Sequence, residues 1–215
     1  MADSIEKETI GNQSASKRTG LFDHNKRYEQ IGNTTFIMRI PSVFHEAIVV
    51  ELIGQFGNYL DGKPCRVFGS NLGLDLKDFI PAIKEMPTFR SYFKKNIEKG
   101  KEGEVYLLPD VSVLCNIDKT KFGSHGYSGI PRMLIEVASP STNVIDFDEK
   151  RSLYEAIGVG EYWIISDTQN VAVYVLQDGK FVKTIHQTEE NILEVPVSVF
   201  PDLVIKFDKN KIELP

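Results

Sequence analysis

A chain of 215 residues with 41% hydrophobic and 26% charged residues has ordinary globular composition, long enough for one domain with a sizeable core. Its formal net charge of −5 has the wrong sign for a dedicated high-affinity nucleic-acid binder, but leaves room for an enzyme that grips phosphate locally. No apolar run approaches the roughly 18 residues of a membrane span, and Met1-Ala2-Asp3-Ser4 lacks a basic and apolar signal region, so a cytoplasmic protein without membrane attachment is expected.

Residues 1–20 are polar without apolar periodicity and read as a disordered leader to a single domain spanning 21–215. The alternation in Thr35–Ile40, after a turn at Gly32-Asn33, predicts a strand. Ser42 can cap a helix over about 43–60, whose Ala47, Val50, Leu52, Ile53, Phe56 and Leu60 keep helical spacing before Gly62. Cys65–Phe68 reads as a strand entering a turn at Gly69–Asn71. Cys65 and Cys115 sit in apolar surroundings without metal-ligand spacing and are expected to be reduced core residues.

Residues 77–103 suggest short helices interrupted by Pro81 and Pro87, then a glycine-marked loop. Lys94, Lys95, Lys99 and Lys101 form the best basic patch there, which also fits a solvated helix end. Strands are predicted near 105–116, 132–138, 161–166, 171–176, 180–186 and 203–207. One helix interrupts them, over about 144–157, with Asn143 as its cap and Gly158 as its stop. The order implies an α/β fold: a mixed twisted sheet with few flanking helices.

Two apolar runs carry a lone acid. In Pro109-Asp110-Val111-Ser112-Val113 the two-residue period sets Asp110 opposite Val111 and Val113, and in Leu134-Ile135-Glu136-Val137 it sets Glu136 opposite Ile135 and Val137. On neighbouring strands the two carboxylates would converge, and a divalent cation between them would relieve their repulsion. Hard oxygen ligands suit Mg²⁺ or Mn²⁺. The alternative is a pair of strand-end acids bonded to backbone or to Arg132. Asp146, Lys150 and Tyr154 follow at intervals of four on one helix face, where a plain surface ion pair would also fit.

These motifs resemble a known series. Pro109-Asp110, Gly129-Ile130-Pro131, Ile135-Glu136-Val137-Ala138-Ser139-Pro140-Ser141-Thr142, the Asp146, Lys150 and Tyr154 face, and Gly158-Val159-Gly160-Glu161-Tyr162-Trp163 are similar to the Uma-type restriction endonuclease family of the PD-(D/E)XK superfamily. The match is specific over about 105–176; upstream, Tyr28-Glu29 and His45 fit the family's opening strand and first helix, and 77–103 looks like an insertion. The resemblance implies a restriction-endonuclease-like core, with Asp110, Glu136 and the Val137 carbonyl as metal contacts. Ala138 stands where the superfamily lysine is usual, and the resemblance implies that Lys150 takes its place, orienting the attacking water or neutralising phosphate charge.

His45 fits either a contact to a metal-bound water or phosphate, or a capping or core histidine. Tyr154 fits a hydroxyl donor or a half-buried packing residue, Tyr162 and Trp163, on alternate faces of a strand, fit core packing ahead of base stacking, and Glu161 fits a partner for a lysine. Ser139–Thr142 lacks the glycines of a nucleophile elbow and serves as a strand-to-helix turn. The implied activity is Mg²⁺-dependent (or Mn²⁺-dependent) hydrolysis of phosphodiesters, with DNA as nucleic-acid partner. The alternatives are an inactive nuclease-fold binding or assembly module, and a metal hydrolase of small phosphorylated molecules. Duplex cleavage needs two scissions, so a homodimer is expected, with the strands near Val195–Phe200 as a possible interface.

Overall fold

The computed structural model describes residues 27–38, 40–94, 103–124, 126–138 and 144–212, the first three of the last span by backbone alone. The expectations for residues 1–20, for Lys95, Lys99 and Lys101, for the Ser139–Thr142 turn and Asn143 cap, and for the Asp146 side chain lie outside it.

The turn at Gly32-Asn33 folds β1 (Tyr28–Gly32) and β2 (Thr34–Ile37) into an antiparallel hairpin. Ser42 then caps α1 (Val43–Leu60), its hydroxyl accepting from the His45 N–H at 3.1 Å. β3 (Cys65–Gly69) and the short β4 (Leu74–Asp75) follow. The 77–94 segment forms a 3₁₀ turn (Lys77–Phe79), α2 (Ile80–Ile83) and α3 (Arg90–Lys94). Pro81 opens α2 rather than breaking it, since a first-turn residue needs no N–H partner.

The single strand expected over 105–116 is two. β5 (Glu104–Leu107) and β6 (Val111–Cys115) lie in different sheets, separated at Leu108-Pro109-Asp110, where Pro109 cannot donate to a ladder. β7 (Phe122–Gly123), β8 (Gly126–Tyr127), β9 (Met133–Val137), α4 (Val144–Ile157), β10 (Glu161–Asp167), β11 (Asn170–Gln177) and β12 (Lys180–Gln187) come next. A hairpin of β13 (Ile192–Pro196) and β14 (Val204–Asp208), then α5 (Lys209–Ile212), ends the described chain.

The strands make two six-stranded sheets, ordered β2-β1-β5-β4-β8-β7 and β12-β11-β10-β9-β6-β3, where one mixed sheet was expected. β9 and β10 run parallel, crossing over through α4, and β6 and β9 pair antiparallel with Val111 opposite Ile135. α1 and the β13–β14 hairpin cover one face of the larger sheet around Val111, Ile135, Trp163 and Val173. α4, the smaller sheet and the 77–94 segment cover the other around Leu134, Tyr162, Leu107 and Phe89. Tyr162 and Trp163 therefore enter opposite cores, as strand alternation requires.

Three expectations are corrected. Cys65 and Cys115 form a disulfide, because antiparallel register sets them directly opposite one another, a relation that spacing along the chain does not show. Val195, Val197 and Phe200 face the core, so the C-terminal strands do not offer them as an interface. Among the described residues Glu161 pairs with no lysine: it accepts from Trp163 Nε1 at 2.6 Å and the Val199 N–H at 2.8 Å, tying β10 to the turn beyond β13. Burial pushes its carboxyl above the ordinary range, against the pull of those donors and of Arg132.

Candidate active site

Asp110 stands just before β6, beyond the proline that splits the two sheets. One of its oxygens, Oδ2, accepts from the Val137 N–H at 2.9 Å and lies 3.0 Å from His45 Nε2. The first contact extends the β6–β9 pairing by side chain where Pro109 removes backbone pairing. The second comes from the first turn of α1, where the Ser42 cap fixes the chain's entry. His45 turns Nε2 to Asp110, and its Nδ1 is buried with no hydrogen-bond partner among the described residues, Glu46 Oε1 lying 3.8 Å away.

Glu136 shares its strand face with Leu134 and meets α4. Lys150 Nζ lies 3.1 Å from Glu136 Oε1, and the Tyr154 hydroxyl donates to the same oxygen at 3.0 Å. Lys150 Nζ also lies 2.9 Å from Glu29 Oε1 on β1, and that oxygen accepts the Leu108 N–H at 2.8 Å. Glu29, Asp110 and Glu136 are each 4% exposed and Lys150 2%, so these are core charges rather than surface ones. Burial, followed by the Glu136 and Glu29 charges, holds the Tyr154 phenol well above its ordinary pKa, making it a neutral hydrogen-bond donor.

The structure thus joins Glu136, Lys150 and Tyr154 on the α4 side of the larger sheet, and joins His45 to Asp110, whose carboxylate meets β9 at the Val137 N–H, one residue from Glu136. Lys150 reaches Glu136 from the helix, and Tyr154 is fully buried on a carboxylate rather than half-buried in packing. Glu29 joins them, although its sequence position alone suggested no role. The signal was available: Glu29 shares parity with Ile31, so the strand carries an acid on its core face.

The donor set suits a hard divalent cation. Val137 donates its N–H toward Asp110, and a strand residue turns its N–H and C=O to the same neighbour, so its carbonyl faces the Asp110 side. Buried carboxylates are groups whose charge a divalent cation can compensate. Among the described residues, however, no three His, Cys, Asp or Glu side chains form a ready metal cluster.

Paired sheet acids beside a lysine, on a mixed sheet with few helices, define a restriction-endonuclease-like protein. The family model Uma2, described as "Putative restriction endonuclease", matches residues 16–207, and the chain belongs to that family. A solved structure from Anabaena variabilis, described as a "putative nuclease belonging to DUF820", superposes with a TM-score of 0.60 at 18% identity, covering 86% of this chain and 88% of that one. A protein of Synechocystis named "Uncharacterized protein slr1290" is 27% identical over 129 residues, 60% of this chain and 54% of the relative. The chain thus matches only about half the length of that relative. Among the described residues no helix is long and apolar enough to cross a membrane.

Proposed function

We propose that the protein is a metal-dependent endonuclease hydrolysing phosphodiester bonds of DNA, with Mg²⁺ or Mn²⁺ held by Asp110, Glu136 and the Val137 carbonyl. The observation that carries this reading is the burial of Glu29, Asp110 and Glu136, with Lys150 paired to Glu29 and Glu136, on elements that otherwise bury apolar side chains. A bound divalent cation supplies a water of lowered pKa and charge neutralisation at the phosphate. The Val137 N–H, which donates to Asp110 Oδ2, and His45 Nε2, 3.0 Å from the same oxygen, fix the orientation of the Asp110 carboxylate. Tyr154, kept protonated, fixes Glu136. Lys150 carries its charge on a flexible stem and stabilises negative charge developing on the phosphate, or orients the attacking water.

A second reading, an inactive nuclease-fold binding or assembly module, draws on one observation: Ala138 stands at the usual lysine position, and Lys150 is already engaged by two carboxylates. Calorimetry with Mn²⁺ on the wild type, Asp110→Ala and Glu136→Ala, beside cleavage of supercoiled, linear and single-stranded DNA and of RNA, separates the two. The nuclease reading expects Mn²⁺ binding that either substitution abolishes, and DNA cleavage that follows it. Binding unaffected by both substitutions overturns the metal assignment. Metal binding without cleavage of any substrate favours the module. Duplex scission further calls for a twofold homodimer, which light scattering at micromolar concentration tests.

A further inference from the structure

Tyr92, in the segment that looks like an insertion, touches both elements that present the Glu29–Lys150 pair. Its backbone carbonyl accepts the Asn33 N–H at 2.9 Å, and the next carbonyl, of Phe93, accepts from Asn33 Nδ2 at 3.3 Å. Asn33 directly follows β1, the strand that carries Glu29. The Tyr92 hydroxyl donates to Glu149 Oε1 at 2.5 Å, a separation typical of a charge-assisted bond to a carboxylate. Glu149 directly precedes Lys150 on α4. The path Glu29, β1, Asn33, Tyr92, Glu149, Lys150 closes on itself through the 2.9 Å Glu29–Lys150 contact.

The approach to β1 is tight. Gly32 has φ +59°, and a Cβ there would stand 2.6 Å from the Tyr92 oxygen; a Cβ at Gly103 would stand 2.7 Å from the Gly32 Cα. The Tyr92 ring lies against Phe36 and Phe89, with centroids 6.0 and 6.2 Å away, which restricts its rotation. Lysine is the side chain least able to fix its own charge in space, since its stem has many rotamers. A displacement of about 1 Å at a reacting group is enough to matter for rate.

We propose that Tyr92 is a positioning residue: by gripping β1 through its carbonyl and Glu149 through its hydroxyl, it holds the Lys150 ammonium between Glu29 and Glu136. The 77–94 segment is thereby a structural part of the site, and Tyr92 acts through Glu149 rather than on substrate. The inference rests on the active-site reading only for its effect on cleavage; the placement of Lys150 is measurable without it.

The test is acetylation of the full chain with acetic anhydride, following the Lys150 peptide by mass spectrometry in the wild type, Tyr92→Phe, Glu149→Ala, Glu149→Gln and the Tyr92→Phe/Glu149→Ala double variant. Tyr92→Phe keeps the ring and the carbonyl and loses only the hydroxyl. Lys150 acetylation is expected to rise at least about tenfold in Tyr92→Phe and Glu149→Ala, and no further in the double variant, because one contact is removed twice. Glu149→Gln keeps an acceptor oxygen and is expected to stay within about threefold of wild type. Amide exchange in β10, measured in parallel, is expected to be unchanged. Wild-type labelling in Tyr92→Phe overturns the proposal, and so does a rise matched by equal loosening of β10, which would mark general destabilisation. In an active wild type, Tyr92→Phe is expected to lower the single-turnover rate at unchanged DNA affinity. A wild type that cuts nothing counts against the nuclease reading, and the labelling still decides the role of Tyr92.

Discussion

Lys150 on α4 lies 2.9 Å from Glu29 on the opening strand, joining two elements far apart along the chain through a contact that is almost fully buried. The same ammonium reaches Glu136 at 3.1 Å. A lysine spaced four residues from Asp146 and from Tyr154 suits a surface pair by pattern alone. Its surroundings make it a core cation.

Replacing Lys150 is therefore expected to cost stability as well as any activity. A surface pair would contribute under about 1 kcal/mol. Removing one partner of a buried pair costs about 3–5 kcal/mol, because the remaining carboxylates lose their counter-charge. Urea unfolding of Lys150→Met should show a loss of that size, and adding Glu29→Gln should restore part of it. A Lys150→Met variant within about 1 kcal/mol of wild type would return the residue to a surface role.

The buried charges were legible in the sequence pattern because the signal is local. A charged residue at a core parity in a strand is visible at Asp110 and Glu136, and α1 and α4 announce themselves by spacing and caps. Glu29 was equally visible by parity, yet the strand that bears it is short and its partners are distant. What the pattern could not carry was register. The Cys65–Cys115 pairing, the split of 104–115 between two sheets, and the burial of Val195 and Val197 all depend on which strands lie side by side. The Trp163–Glu161 contact is likewise a two-residue neighbour bond whose meaning comes from Val199, far along the chain.

The disulfide is expected to matter thermodynamically. Cys65 and Cys115 enclose a sequence separation of 50 residues, including all of 77–103. Loop-closure entropy for a loop of that length corresponds to about 4 kcal/mol. Intact mass and alkylation without reductant should find no free thiol, and a reductant should lower the urea midpoint of the wild type while leaving Cys65→Ser/Cys115→Ser unchanged. Two freely alkylated thiols in the folded, unreduced protein would contradict the pairing.

Tyr154 sets an alkaline limit. Its folded pKa is raised, so the native state keeps the proton where the unfolded chain releases it near pH 10. The associated stability is complete below the unfolded value and is lost as pH rises toward the folded one. Unfolding free energy measured between pH 8 and 11 should fall more steeply in the wild type than in Tyr154→Phe. Absorbance at 295 nm should show one fewer tyrosine that ionises only with unfolding in Tyr154→Phe than in the wild type. Ionisation of every tyrosine in the native state near pH 10 would show that Tyr154 is solvated.

Glu161 gives the opposite end of the pH range a defined sign. Two donors, the Val199 N–H and Trp163 Nε1, backed by the Ser198 backbone and Arg132, favour the carboxylate, whereas burial disfavours it, and burial prevails. A carboxyl raised in the folded state binds its proton more tightly there than in the unfolded chain. Its contribution is therefore fully present below the ordinary carboxylate pKa and is lost as pH rises through the folded value. Glu161→Gln removes the titration but turns an amide N–H₂ toward one of the two donors, at a cost of about 1–3 kcal/mol. Both effects are separable by urea unfolding of wild type and variant between pH 4 and 7. The wild type should be the more stable at every pH, with an advantage that shrinks as pH rises. An advantage that grows with pH would mean that the two donors outweigh burial, and that Glu161 is held as a stabilised carboxylate.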